Sequence, residues 1–531
     1  MPPVQDFEIV ILALFVSVAG LSAIAHWLSV PYPIPLVLGG LVLGLLPGMP
    51  EIELEPDLVL VVFLPPLLYA AAFFADLRSL RADLRGISIA AVGLVLLTMG
   101  AVAVVAHEVI GLSWPLAFAL GAIVSPTDPV AATAIMRQLG APRRLVNFVE
   151  GESLVNDATA LVAYRVAVSA AVGGSFSVLD AGIELVGAAA GGIAIGLVVG
   201  FVVAEIRGRL DDAPTELAIS LLTAYAAFIP ADELGLSGVL AAVTAGVYLG
   251  WRAPELITPE TRLQSFAVWE ILVFLLNAAL FILVGLQLPV IADGLESYST
   301  GELVGYSALV CATVIGARFL FTFTMPYVIR ALDRRPEQRA RRIGARMRVV
   351  SAWAGMRGAV SLAAALSLPL QTDAGAPLPG RELILFITFV LILVTVVGQG
   401  LSLPYLIRRL GVREDGAEEA AEEARARYVA ARAALDRLDE LSAEDWTLDD
   451  TIERLRKLYE FRQRRMKVRT GKVEDSEGIE ERSLSYQRLM HELYTVQRGA
   501  VIQLRNDGEI SNAVMHRIER ELDLEESRLE V

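Results

Sequence analysis

Thirteen apolar segments recur along residues 7–407, and they constrain the fold more than any other feature of the chain. A helix needs about 20 apolar residues to cross the hydrocarbon core of a bilayer. Most segments approach that length, although Gly and Pro shorten or interrupt several of them. The segments are 7–28, 35–46, 57–75, 86–106, 114–136, 145–172, 183–204, 216–229, 236–250, 268–288, 303–329, 349–369 and 382–407. They predict an all-α polytopic membrane domain over residues 1–410, surrounded by membrane lipids.

The composition separates this domain from a different C-terminal part. The whole chain is 55% hydrophobic and 20% charged, whereas soluble domains are usually about 45–50% apolar and about 25% charged. Residues 412–531 alone hold 29 acidic and 21 basic side chains. They are rich in Ala, Glu, Arg and Leu, which favour helix. We therefore predict a helical cytoplasmic tail over 411–531, with helices at 447–468, 478–505 and 509–529; its role in regulation, dimerisation or solvation stays open.

Charge and cysteine content narrow the possible partners. The formal net charge is −15, which makes nucleic acid an unsuitable partner. The single cysteine, Cys311, excludes an internal disulfide. Its apolar surroundings predict a small buried side chain. No nucleotide-binding loop or metal cluster is apparent in the tail, and the sequence predicts no cofactor.

Arginine is distributed unevenly between alternate loops. One set of loops holds 18 arginines, and the other set holds only Arg381. The arginine-rich loops are 76–85, 137–144, 207–215, 251–267 and 330–348. Cytoplasmic loops of membrane proteins collect Lys and Arg. The asymmetry predicts a multi-pass protein of the plasma (inner) membrane, with its N-terminus outside and its tail in the cytoplasm.

The fifth segment carries the sequence Ser125-Pro126-Thr127-Asp128-Pro129 at its centre. Each proline removes an amide donor and clashes with the preceding turn, so the helix should break there. Freed backbone groups at membrane depth need protein or a wet cavity around them. Thr127 and Asp128 place oxygen atoms at this break. Asp128 is also suited to cap the second half-helix, and both roles are compatible.

The sixth segment contains "EGESLVNDATALV" from Glu150 onward. Ser153 and Asp157 lie four residues apart and share a helix face, and Glu152 and Asn156 share the adjacent face. Oxygen ligands of this kind suit hard cations. The segment therefore predicts that a hydroxyl and a carboxylate converge with the broken fifth segment on one small cation. Glu150 lies nearer the end, where simple solvation is an equally good interpretation.

Three arginines lie within predicted spans, where each is energetically expensive. Arg165 is near a helix end, and we interpret it as reaching outward. Arg318 and Arg357 lie deeper and need partners. A structural ion pair is our preferred interpretation for Arg318. Gly355 and Gly358 flank Arg357, where they permit close helix approach or local unwinding.

The buried charges do not cancel. Asp128, Glu152 and Asp157 oppose Arg318 and Arg357, which leaves about one carboxylate without a counter-charge. A carboxylate away from water is neutralised either by a proton or by a metal cation, but not by both. That competition is the physical requirement for cation/proton exchange.

Three segments make the chain resemble a known family. "SPTDPVAATAI", "EGESLVNDATALV" and "GMRGAVSLA" are similar to segments of monovalent cation:proton antiporters, above all the bacterial NhaP-type sodium/proton antiporters and the related eukaryotic sodium/proton exchangers. The resemblance covers roughly residues 7–407. It implies thirteen spans in two inverted repeats, with spans five and twelve broken and crossing. It also implies a homodimer and an elevator-like alternation between the two sides of the membrane.

The resemblance further implies a role for each motif residue. Asp157 would exchange the ions, and Thr127 and Ser153 would help to ligate the cation. Relatives with an Asn-Asp pair, here Asn156 and Asp157, are generally electroneutral. The remaining charged residues would balance the broken helices or pair with each other: Asp128 and Arg357 for the helices, Glu152 with Arg318 for the pair.

One departure from the family concerns span three. Some NhaP-type relatives carry a glutamate shortly after a Pro-Pro pair, whereas this chain has Ala70–Ala72 after Pro65-Pro66. Any cation ligand from this span is missing or replaced, which leaves the preference among Na⁺, K⁺ and Li⁺ open.

Two other functional classes compete with sodium/proton or potassium/proton antiport. Two membrane-buried aspartates would suit an intramembrane aspartyl protease, but Thr127 and Asn156 stand where such enzymes carry a glycine before one aspartate. A channel or a sensor that signals through its tail is the third class. Flux that requires an opposing proton gradient separates antiport from both.

Overall fold

Helices account for nearly all of the regular structure. The computed structural model describes residues 4–28, 30–46, 59–173, 178–295, 297–332, 343–414, 416–470 and 478–529. The chain divides into two compact units, Met1–Glu414 and Asp415–Val531. Of the predicted loops, residues 47–56 and most of 330–348 lie outside the described residues.

The first unit is built from consecutive helices that alternate with short connections. Up to the second predicted break they are α1 (Val4–Leu28), α2 (Pro33–Gly44), α3 (Leu64–Phe73), α4 (Leu77–Val105), α5 (Trp114–Val124), α6 (Pro129–Gln138), α7 (Arg143–Gly173), α8 (Val178–Arg207), α9 (Ala213–Glu233), α10 (Gly238–Leu256), α11 (Pro259–Leu286), α12 (Leu288–Ala292), α13 (Thr300–Leu332) and α14 (Ala345–Trp353). The unit ends with α15 (Ala359–Leu366), α16 (Arg381–Leu393) and α17 (Gly400–Leu410).

Apolar length agrees with a membrane-spanning role. Seven helices in the described part of the chain are long and apolar enough to cross a membrane, and three shorter apolar helices accompany them. Each of the thirteen predicted segments overlaps at least one helix, although residues 57 and 58 lie outside the described residues. The predicted polytopic all-α fold is confirmed. The number of spans and their inverted repeats stay predictions.

Both expected helix breaks are present. α5 ends at Val124 and α6 begins at Pro129, where the fixed backbone of proline suits the first helical position. The second break separates α14 from α15. The backbone amide of Asp128 donates a hydrogen bond to the carbonyl oxygen of Met356, at 2.8 Å. The two interrupted helices therefore meet at their breaks.

Arg207 differs from its predicted loop position. It is the last residue of α8 and is buried, with Nη2 3.4 Å from Oε2 of Glu216 on α9. Glu216 also accepts a hydrogen bond from Oγ1 of Thr261 at 3.2 Å. The helix continues past its apolar run because a buried partner stabilises the arginine.

Cys311 is buried, as predicted.

Residues 416–470 and 478–529, the described part of the second unit, contain four helices. They are α18 (Ala417–Leu441), α19 (Asp449–Arg469), α20 (Ile479–Asn506) and α21 (Asn512–Ser527). The three predicted tail helices are confirmed to within three residues at each end. The linker predicted around "KVRTGKVEDSEG" falls mostly on residues 471–477, outside the described residues.

A candidate cation site at two broken helices

A cluster of three polar side chains joins the first break to α7. Asn156 Nδ2 donates a hydrogen bond to Thr127 Oγ1 at 2.7 Å, and that oxygen lies 3.2 Å from Ser153 Oγ. All three side chains are buried. Thr127 occupies the break itself, where no helical hydrogen bonding restricts its surroundings. The structure thus brings together the hydroxyl groups that the sequence assigned to the cation.

Asp157 lies one residue further along α7 and faces a cavity. The cavity has a volume of about 550 Å³, and its lining includes Thr127, Asp128, Ser153 and Asp157. Asp157 is only 7% exposed, and its Oδ1 atom has no hydrogen-bond partner among the described residues. A buried charged oxygen without a partner is costly. This carboxylate is therefore poised to take up a proton or a cation.

Asp128 caps a helix start rather than standing free. Its Oδ1 accepts a hydrogen bond from the amide of Val130 at 2.9 Å, at the beginning of α6. Its carboxylate also lies against Gly358, the residue before α15, where a Cβ would overlap it. Helix N-termini carry partial positive charge. Asp128 thus lies beside the positive ends of both half-helices, and glycine at 358 makes this approach possible.

Arg357 lies at the negative, carbonyl ends of the interrupted helices, whereas Asp128 lies at their positive ends. Its Nε donates to the carbonyl oxygen of Val124, the last residue of α5, at 3.0 Å, and Nη1 donates to the Gly355 carbonyl. The backbone amide of Arg357 donates to Thr395 Oγ1 at 3.1 Å. Carbonyl groups at a helix C-terminus carry partial negative charge. The guanidinium therefore satisfies carbonyl groups that the two breaks release.

Glu152 and Arg318 form a buried ion pair. Arg318 Nη1 lies 2.6 Å from Glu152 Oε1, and the two side chains are 2% and 4% exposed. Arg318 also donates from Nε and Nη2 to the Ser351 carbonyl, at 3.3 and 3.2 Å. A Cβ at Gly355 would overlap the Arg318 side chain. The pair thus ties α7 and α13 to the helix before the second break.

Of the three carboxylates at the site, one has no compensating positive charge. Glu152 is matched by Arg318, and Asp128 and Arg357 lie at opposite ends of the half-helices. Among the described residues, Asp157 forms no ion pair and its Oδ1 has no hydrogen-bond partner. One carboxylate next to two hydroxyl groups, at the wall of a cavity, is a site for one proton or one small cation.

Comparison with known proteins agrees with this chemistry. Residues 11–409 match the family described as the transmembrane sodium/hydrogen exchanger. A Na⁺/H⁺ antiporter of Aphanothece halophytica is 33% identical over 433 residues, which cover 81% of this chain and 79% of the relative. The chain belongs to the sodium/hydrogen exchanger family. It is a transporter and not an enzyme, so the protease interpretation is rejected.

Two further proteins extend the comparison. The exchanger is 31% identical to a sodium, potassium, lithium and rubidium/H⁺ antiporter of Bacillus subtilis, over 76% of this chain and 62% of the relative. The solved structure of the sodium/proton antiporter MjNhaP1 from Methanocaldococcus jannaschii has a TM-score of 0.60 at 20% identity, and covers 77% of this chain and 100% of its own. This likeness shows a shared fold.

Residues outside the motifs also line the cavity. Ala70 and Ala71 line the cavity, so the third predicted span contributes methyl groups there and no oxygen from these positions. Glu150, which also lines the cavity, is paired with Arg137 at 2.7 Å. Two polar residues of α11, Glu270 and Asn277, line it as well, although no motif singled them out. Their spacing of seven residues within one apolar segment was the available signal.

Arg165 is not part of the site. Its side chain is 45% exposed and forms an ion pair with Asp232. It also donates a hydrogen bond to the Leu236 carbonyl at 3.4 Å. The outward-reaching interpretation agrees with this contact.

Proposed function

We propose that this protein exchanges one Na⁺ for one H⁺ across the plasma membrane, with Asp157 as the exchanging carboxylate, in pH and sodium homeostasis. The observation that carries the proposal is the geometry of Asp157. It is buried and lines the cavity together with Thr127 and Ser153, and its Oδ1 has no hydrogen-bond partner among the described residues, whereas Asp128 and Glu152 each have one. The role of each residue follows from that difference.

In the proposed cycle a cation reaches the cavity and displaces the proton from Asp157. Thr127 and Ser153 supply neutral oxygen ligands beside the carboxylate. Asn156 holds Thr127 by its amide hydrogen bond and positions that hydroxyl. Asp128 and Arg357 keep the broken helix ends electrostatically satisfied, so the backbone stays open at the site. The site binds one ion at a time, which couples the two fluxes.

Sodium is the preferred cation in this proposal. The family description names sodium, and so do the names of the Aphanothece and Bacillus relatives. Potassium is the less favoured alternative. The test uses proteoliposomes that hold a quenched pH-sensitive dye and an acid interior, to which Na⁺, Li⁺ and K⁺ are added in turn. We expect Na⁺ to cause proton release at the lowest concentration; release with no cation at all would refute antiport.

Exchange is expected to be electroneutral. Asn156 cannot carry a second proton, Glu152 is held by Arg318 and Asp128 by the helix starts. Asp157 then alternates alone between a proton and a cation, so no net charge moves in a cycle. Membrane potential is set with potassium and valinomycin at a constant pH gradient, with sodium as substrate. The rate should not change with potential; acceleration or slowing would reveal a second titrating group.

The proposal also covers the membrane topology and the oligomeric state. We place thirteen spans in two inverted repeats, the N-terminus outside and the tail in the cytoplasm, in a homodimer surrounded by membrane lipids. The uneven distribution of arginine between loops supports the orientation. The sequence resemblance supports the repeats and the dimer.

Removal of residues 412–531 should leave a working exchanger with an altered pH or activity profile. The residues assigned to ion exchange all lie in the first unit, and the proposed exchanging carboxylate, Asp157, precedes residue 160. The truncated and full-length proteins are compared by dye dequenching over a range of pH. A truncated protein that inserts normally but exchanges no ion at any pH would place the tail in the transport mechanism.

A further inference from the structure

One face of α11 forms a wall of the ion cavity. Its cavity-lining residues are spaced by three and four, as expected for a single helix face. They are Phe266, Trp269, Glu270, Val273, Asn277 and Leu280. Two of the six are polar, in a helix with an apolar span. Glu270 and Asn277 lie seven residues apart, about 10 Å along the helix axis.

Asn277 presents an oxygen to the cavity. The side chain is 5% exposed, and its Nδ2 donates a hydrogen bond to the Val273 carbonyl at 2.9 Å. Because a carbonyl only accepts hydrogen bonds, this contact fixes which end of the amide faces the backbone. Oδ1 is therefore the free end, and no described contact satisfies it. This oxygen is not among the fully buried polar atoms that lack a partner, so it is accessible, and Asn277 lines the cavity.

Glu270 is an acidic residue that lines the same cavity. Its side chain is exposed, and it has no ion pair among the described residues. The nearby acid Glu150 is neutralised by Arg137. Alanine at 70 and 71 makes that part of the facing wall apolar. Glu270 is thus an unmatched negative charge along the lining, outside the site built on the breaks.

We infer that Glu270 and Asn277 form an approach site for the transported cation, on the face of α11 that lines the same cavity as Asp157. The inference rests on the proposed function, since it takes Asp157 as the destination of the ion. A carboxylate in a cleft raises the local cation concentration. A carboxamide oxygen replaces one water of the hydration shell, and such replacement discriminates between cations by size. Asn277 is then a residue that determines cation preference.

Cation binding tests Asn277 without requiring transport. The detergent-solubilised full-length protein is heated at constant ionic strength while N-methylglucamine is replaced by Na⁺, Li⁺ or K⁺, and the concentration giving half of the stabilisation is measured. For Asn277→Ala we expect that concentration to rise about five- to tenfold for Na⁺. The rise for K⁺ should be smaller, so the preference between the cations decreases. Asn277→Ser retains a side-chain oxygen, so its half-maximal Na⁺ concentration should lie between that of the unaltered protein and that of Asn277→Ala.

Glu270 is tested through its dependence on salt. Glu270→Gln should raise the half-maximal Na⁺ concentration about two- to threefold at low ionic strength, and the effect should vanish when N-methylglucamine chloride screens the charge. The matched control is Glu255→Gln, because Glu255 is an exposed acid of the preceding helix that does not line the cavity. It should bind cations like the unaltered protein.

Several results would overturn the inference. One is an Asn277→Ala protein that binds all three cations like the parent. Another is an equal effect of Glu255→Gln and Glu270→Gln. Failure of both Asn277 variants to fold would assign this residue to packing, with the same consequence. An Asp157→Asn protein that still binds and exchanges Na⁺ would instead refute the proposed function, whatever the Asn277 variants show.

Discussion

Replacement of Asp157 by Asn is expected to reduce cation-dependent proton release to the level of empty liposomes. The amide has nearly the shape of the carboxylate but neither releases a proton at neutral pH nor neutralises a cation. The protein should stay folded, and its thermal midpoint in detergent should not fall. This is because the substitution removes a buried charge whose Oδ1 has no hydrogen-bond partner among the described residues. Dye dequenching and thermal unfolding are measured on the same preparation.

The control for this substitution is Asp232→Asn. Asp232 is 39% exposed and pairs with Arg165 away from the cavity. We expect exchange by this variant to be retained. Cation-dependent proton release by Asp157→Asn at the rate of the unaltered protein would show that another group exchanges the proton.

Loss of one partner of the Glu152–Arg318 pair should harm the protein more than loss of both. Glu152→Ala or Arg318→Ala leaves a charge in a region that excludes water, which typically costs about 3–5 kcal/mol. The double substitution removes both charges and should recover part of that loss. Thermal midpoints in detergent across the four proteins give the coupling between the two residues.

The exposed pair of Arg165 with Asp232 serves as the matched comparison. Solvent-exposed ion pairs contribute about 0–1 kcal/mol, so Arg165→Ala and Asp232→Ala should have small effects that nearly add. Strictly additive losses for Glu152 and Arg318 would contradict the assignment of these two residues as partners.

Much of the architecture can be predicted because the membrane imposes simple requirements on a sequence. Apolar length determines where helices lie, and two prolines three residues apart require the break before Pro129. Deep charges need counter-charges, which predicted a partner for Arg318. These inferences concern single segments or strong charges, whose energetic consequences are large in any arrangement of the helices.

The features that could not be predicted depend on how the helices pack against one another. Nothing local marks Asn277 as different from an asparagine that bonds only its own helix, and it does bond Val273. Its second role appears only when α11 lies against the cavity. Arg207 likewise resembles a loop arginine until Glu216 and Thr261 come together around it. Contacts between distant segments decide both cases, and helix periodicity does not specify those contacts.

The unmatched charge at the crossing also bears on leakage. With Asp157 ionised and empty, the buried acids exceed the buried arginines by one. Transfer of an uncompensated charge through a region without water costs several kcal/mol, whereas a bound proton or sodium ion cancels it. On the proposed mechanism, the empty carrier is thus the form least able to change sides. A cation cannot then be carried across and followed by an unloaded return, so the tightness of coupling arises from electrostatics without a separate gate.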